Sequence, residues 1–165
     1  MHTENRDEEL VSFADTIGLF YEDLGLPRAW GRVLGWLLVC EPDYQSAEDL
    51  AAALHASRGS ISMATRSLVR AGSVERHTKR GDRRTYYRIR PGAWINVFEQ
   101  HIQTTRRLRE LARQGLALLN GDSPKRGRRL QELQDLATFY ERESLALLAE
   151  WHRNGQYLEA PDQNA

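Results

Sequence analysis

The hydrophobic period of this chain changes at Gly72, and that change restricts what the chain can fold into. Before Gly72, the run "LAAALHASRGSISMATRSLVRAG" places Leu50 and Leu54 on one helical face, and Ile61, Ala64 and Leu68 on another. Ser46 and Ser57 are predicted N-caps. Glu48 and Asp49 lie in a first turn, where the helix dipole favours acids, and Gly72 is a helix stop. After Gly72, "SVERHT" and "TYYRIR" are rich in β-branched and aromatic residues. They flank "KRGDRR", with Gly-Asp at its centre, so the spacing predicts a hairpin.

Two short helices, a break of three or four residues and then a hairpin describe a winged helix-turn-helix. The rest of the chain reads as helix. Residues 8–24 carry Leu10, Phe13, Ile17, Phe20 and Leu24 at helical spacing and stop at Gly25. Pro27 opens a second helix, apolar nearly all round as far as Cys40, and Pro42 ends it. Residues 93–119 and about 125–153 form two long helices. "NGDSP" separates them, with Ser123 and Pro124 as cap and first turn, and the last residues, 154–165, read as a flexible tail. The expected fold class is mainly α with a small β-hairpin wing. A winged helix-turn-helix over 27–92 joins a helical domain made of 8–26 and 93–153. Stripes on those long helices are wider than one small winged domain covers, which suits a dimer interface or an intrachain helical hairpin.

Charge narrows the function classes. The chain is neutral overall, with 23 Lys plus Arg and 23 Asp plus Glu, yet residues 58–90 hold ten bases and two acids, while residues 41–57 hold four acids and no base. A local field of this kind speaks of partners rather than fold, and the matching partner is a polyanion such as double-stranded DNA. A solvated basic surface is the alternative reading. On the predicted second helix, Ser60, Met63, Arg66 and Arg70 point outward, with Ser57 and Arg58 at the helix start and Ser62 beside them. Such a helix lies in the major groove, where arginines reach guanine edges or phosphates and hydroxyls serve either. At the hairpin tip, Lys79, Arg80, Arg83 and Arg84 are placed to reach phosphate and the minor groove. Asp82 has two readings: it orients the Arg84 guanidinium through paired hydrogen bonds, or it is a turn aspartate bonding its own backbone.

These residues carry a resemblance. The run from Leu50 to Ile89, with Asp82-Arg83-Arg84 at the wing, resembles the winged helix of MarR-family transcriptional regulators. "GRVLGWLLVCEPDYQSAEDLAAAL", "GDRRTYYRIRP" and "RRLQELQDL" are similar to its GbsR-like branch, and most of all to mycobacterial MarR-like repressors of lipid- and drug-exporting efflux pumps. The resemblance spans about 10–150. It implies a homodimer whose first and last two helices interlock, and two recognition helices meeting a pseudo-palindromic operator. It also implies repression relieved by a lipophilic small molecule held between the two domains. Phe13, Phe20, Trp30, Trp36, Trp94 and Phe98 are then the candidate lining, with Arg32 and Arg109 as polar anchors. The same aromatics suit ordinary core packing. A winged helix that docks an acidic protein is the rival from another class.

Other chemistry finds little support. His2, His55, His77, His101 and His152 are scattered, no cysteine pair exists, and no nucleotide loop or catalytic set is recognisable, so neither metal, cofactor nor enzyme activity is expected. Cys40 is either a thiol sensor that gates DNA binding or a buried structural cysteine. It ends an apolar run, no cation adjoins it and Glu41 follows, which favours burial. The longest apolar run, "WLLVC", is far short of the roughly 20 residues that cross a bilayer. The acidic amino terminus and the single cysteine suit a protein of the reducing cytoplasm without a secretory leader.

Overall fold

The computed structural model describes residues 2–119 and 124–154, with side chains from Arg6 onward. The order of elements is α1 (His2–Asp23), α2 (Arg28–Leu37), β1 (Tyr44–Ser46), α3 (Ala47–Ala53), α4 (Arg58–Arg70), β2 (Val74–Thr78), β3 (Thr85–Ile89), α5 (Ala93–Leu119) and α6 (Pro124–Arg153). The expected class, mainly helical with a small antiparallel sheet, is observed. The chain divides into two compact units between Ala93 and Trp94. In the amino-terminal unit α1 packs on α2.

The three strands are ordered β1-β3-β2. β2 and β3 form the expected hairpin, with Val74 opposite Ile89 and Thr78 opposite Thr85. β1 was not expected. It is too short to show a period of two, and it pairs antiparallel with β3, Tyr44 opposite Arg88 and Ser46 opposite Tyr86. Ser46 then caps α3: its hydroxyl accepts from Asp49 N (3.2 Å) while the Asp49 carboxylate accepts from Ser46 N (2.9 Å). Ser57 caps α4 by accepting from Ser60 N at 3.2 Å. At the other end of α4, Gly72 N–H donates to the Val69 carbonyl and Ser73 N–H to that of Leu68, so the last turn is closed.

The core of this unit joins Val33, Leu34 and Leu37 of α2 to Leu50, Leu54, Ile61, Ala64, Leu68 and Val74, with Ala14 entering from α1. All are nearly inaccessible to solvent, the condition under which apolar burial stabilises most. α1 approaches α2 closely because Gly31 and Gly35 have no side chains: a Cβ on Gly31 would meet Ile17 O and lie 2.8 Å from Gly18 Cα, and one on Gly35 would lie 2.9 Å from Ala14 Cα.

Two boundaries differ from expectation. α1 begins at His2 rather than near residue 8, the helix running on from its apolar stripe into a polar segment. α2 ends at Leu37, and Leu38 to Cys40 continue as a turn in which Cys40 N–H still bonds the Trp36 carbonyl. In the carboxy-terminal unit α5 and α6 have the expected spans. Ile102, Ala112 and Ala137 are buried there, while Leu111, Leu118, Leu136 and Leu147 are largely exposed in the single chain. The expected cap at Ser123 and the tail beyond Asn154 lie outside the described residues. No helix among the described residues is long and apolar enough to cross a membrane.

Candidate nucleic-acid interface

α4 turns Ile61, Ala64, Thr65 and Leu68 into the core, and the Thr65 hydroxyl is satisfied by the Ile61 carbonyl at 2.9 Å. The opposite side carries Arg58, Ser62, Met63, Arg66 and Arg70, all exposed, with Ser57 exposed at its start and Ser60 half-buried. Arg58 reaches Glu48 at 3.4 Å, a loose pair between two exposed side chains that contributes little to stability. Arg66 Nε donates back along the helix to the Ser62 carbonyl at 3.1 Å. Both guanidiniums are therefore available to a ligand at small cost.

The wing tip is a turn in which Asp82 N–H donates to the Lys79 carbonyl (3.1 Å), with Gly81 at φ +84°, a conformation that suits glycine. Both readings of Asp82 hold together. Its Oδ1 accepts from Arg84 N at 2.9 Å, the turn bond. Its carboxylate also takes Arg84 Nε (3.1 Å to Oδ2) and Nη2 (2.8 Å to Oδ2), and Tyr86 Oη donates to Oδ2 at 2.7 Å. The Arg84 side chain, then Tyr86, hold the Asp82 carboxyl far below the usual carboxylate range, so it stays ionised well into acid. Arg80 and Arg83 are exposed and have no ionic or hydrogen-bonding partner among the described residues.

Sequence reasoning missed the aromatic support beneath this tip. Lys79 Nζ lies 4.1 Å from the Tyr44 ring centroid and 5.0 Å from that of Tyr86. Tyr86 is buried, and Arg88 of β3 pairs with Glu75 of β2 at 2.7 Å. The two tyrosines of "TYYRI" were a visible signal. Tyr44 was not, because β1 was not expected.

The candidate ligand residues are divided between the two units. Trp94 and Phe98 line a cavity of about 490 Å³ within the carboxy-terminal unit, together with Ile102, Tyr140, Leu147 and Trp151. Trp36 lines a different cleft of about 890 Å³ between α1, α2 and α3. Phe13 and Phe20 are exposed, and Trp30 packs against the core. Arg32 is engaged by Asp15 and by the Leu54 carbonyl, and Arg109 by Glu141 at 3.3 Å.

Cys40 is buried, and burial pushes its thiol up to about 11, with Asp43 and Glu41 adding to the effect. We expect alkylation of Cys40 in the folded protein at neutral pH to run on the order of a hundredfold slower than for free cysteine, without altering DNA binding. Rapid labelling followed by loss of DNA binding would restore the thiol-gated alternative.

A capped helix-turn-helix, a basic outward helix and an arginine-tipped hairpin define a winged helix-turn-helix protein of the nucleic-acid-reading kind. A family model described as MmpR5-like MarR family transcriptional regulator matches residues 92–154, and a MarR family model matches residues 24–85. The HTH-type transcriptional regulator MmpR5 of Mycobacterium tuberculosis (strain ATCC 25618 / H37Rv) is 43% identical over 135 residues, 82% of each chain. A crystal structure of a transcriptional regulator is 41% identical with a TM-score of 0.77, covering 88% of this chain and 99% of that one. The chain belongs to the MarR family of transcriptional regulators. It is a regulator and not an enzyme.

Proposed function

We propose that the protein acts as a homodimer that binds a pseudo-palindromic operator, represses transcription from it, and is released by a lipophilic small molecule. One observation carries the DNA reading: the outward face of α4 and the wing tip present Arg58, Arg66, Arg70, Arg80 and Arg83 from one unit, all exposed. α4 then reads base edges and the wing holds the flanking backbone. The exposed Leu111, Leu118, Leu136 and Leu147 of α5 and α6, with Phe20 and Leu24 of α1, support the dimer, since a monomer rarely leaves so much apolar surface uncovered. A dimer sets the half-sites roughly 34 Å apart. The apolar cavity lined by Trp94 and Phe98 supports a lipophilic effector.

The test is fluorescence anisotropy on the DNA upstream of the protein's own gene, against a scrambled duplex of equal length, at two salt concentrations. The expected result is sequence-dependent binding with Kd on the order of 10⁻⁸ M or below at physiological salt. Equal, weak binding to both duplexes that vanishes as salt rises would favour the protein-docking rival.

A further inference from the structure

The wing cations are not equivalent. Arg80 and Arg83 stand free at the tip, but the Lys79 side chain lies over the sheet, its ammonium 4.1 Å from the Tyr44 ring centroid and 5.0 Å from that of Tyr86. Those rings meet edge to face, 5.3 Å apart at 84°. His77 lies against the Tyr44 ring at 5.4 Å. On the far side, the Tyr86 hydroxyl donates to the Asp82 oxygen that Arg84 Nη2 also holds, and the Arg84 guanidinium lies 5.3 Å from the Tyr86 ring. A continuous chain of contacts thus runs from Tyr44 through Lys79, Tyr86 and Asp82 to Arg84. Its first member stands on β1 and its last at the wing tip, immediately before β3. The Tyr44 hydroxyl holds the Lys79 ammonium above the usual lysine value, so Lys79 is charged wherever the protein works.

A hairpin of five-residue strands has few contacts of its own to set its direction, and two-stranded ribbons are marginal in isolation. Here β1 supplies the third strand, but only through the register of Tyr44, Gln45 and Ser46. A cation seated on one ring from β1 and one from β3 adds a second link between those strands, through side chains.

We propose that Lys79 is a positioning residue of the wing rather than a phosphate contact: its ammonium, clasped by Tyr44 and Tyr86, ties the hairpin to β1 and leaves backbone contact at the tip to Arg80 and Arg83. The proposal rests on the DNA-binding reading above and redistributes the roles within it.

The experiment measures DNA affinity against salt for the wild type and for Lys79→Met, Lys79→Arg, Tyr44→Leu, Arg80→Ala and the Lys79→Met/Tyr44→Leu pair, each checked for an unchanged melting temperature. Arg80→Ala flattens the slope of log K on log salt by about one. Lys79→Met weakens binding roughly three- to tenfold with the slope unchanged. Tyr44→Leu, which removes no charge, weakens it equally, the pair is no weaker than either single change, and Lys79→Arg keeps wild-type affinity. A Lys79→Met slope flattened by about one, with Tyr44→Leu binding like the wild type, overturns the proposal. The clasp has its own readout without DNA: upfield ring-current shifts of the Lys79 side-chain protons, reduced in Tyr44→Leu. Absence of those shifts in the free wild type also overturns it. A wild type that shows the shifts yet binds no operator would instead sink the DNA-binding reading, and with it any role for the clasp in DNA binding.

Discussion

Gly31→Ala is expected to destabilise the amino-terminal unit by about 2–3 kcal/mol. Alanine would normally favour a helix interior by about 1 kcal/mol over glycine, so the sign of this effect depends on what the new methyl meets. It meets backbone: Ile17 O, Gly18 Cα at 2.8 Å and the Ile17 carbonyl carbon at 2.9 Å. Main-chain atoms of a packed helix cannot rotate aside as a side-chain end does. α1 must lift from α2, and every contact along the crossing loosens with it. One turn on, Gly35 faces Ala14 Cα at 2.9 Å, so the helices cannot pivot towards that end either. Gly59→Ala is the control. In the first turn of α4 its Cβ finds only the Ser57 hydroxyl, at 4.0 Å, and the change should be neutral or stabilise by up to about 1 kcal/mol. Urea unfolding of the two variants beside the wild type decides it. Equal midpoints for Gly31→Ala and the wild type would mean that α1 does not lie this close to α2 in solution.

The second large effect is on recognition. Arg66→Ala should lower affinity for the operator by about 1–3 kcal/mol and relax preference at one base position. In the free protein the Arg66 guanidinium rests on the Ser62 carbonyl at 3.1 Å on an exposed helix face, and leaving that single contact for a guanine edge costs little. A library of operators, each changed at one position, separates the two roles an arginine can play. Loss confined to one position identifies a base reader. Uniform loss across the library, with a flatter salt dependence, would make Arg66 a phosphate contact instead.

The helix-turn-helix and hairpin were legible because several local signals agreed: Ser46 and Ser57 as caps, Gly72 as a stop, and the change of period on either side of it. The Asp82–Arg84 pair was legible for a related reason, since the two lie two residues apart in a tight turn and reach each other whatever surrounds them. β1 was not. Three residues show no period, and Ser46 announces itself as a helix cap before it announces a strand. With β1 hidden, Tyr44 has no address, and in the sequence Lys79 reads as one more cation of the wing beside Arg80, Arg83 and Arg84. The aromatic residues of the long helices were ambiguous in a different way. Phe98 and Trp94 occupy apolar stripes that look the same whether they fill a core, line a cavity or meet a partner, and they are 60% and 47% exposed in the single chain. The approach at Gly31 was equally silent, since a small residue in an apolar helix does not say which neighbour comes near.

Ser46 has a mechanical consequence. Its backbone sits in register with Tyr86 on the hairpin, while its hydroxyl fastens the first turn of α3. One residue is thus both a rung of the sheet and the anchor of the helix-turn-helix, with no slack between them. The pairing at Ser46 and the proposed Lys79 clasp together restrain the hairpin against the helices. Tilting it drags α3, and α4 follows through their shared core. In the proposed DNA-binding mode, wing and recognition helix are thus joined through one residue, at the seam between β1 and α3.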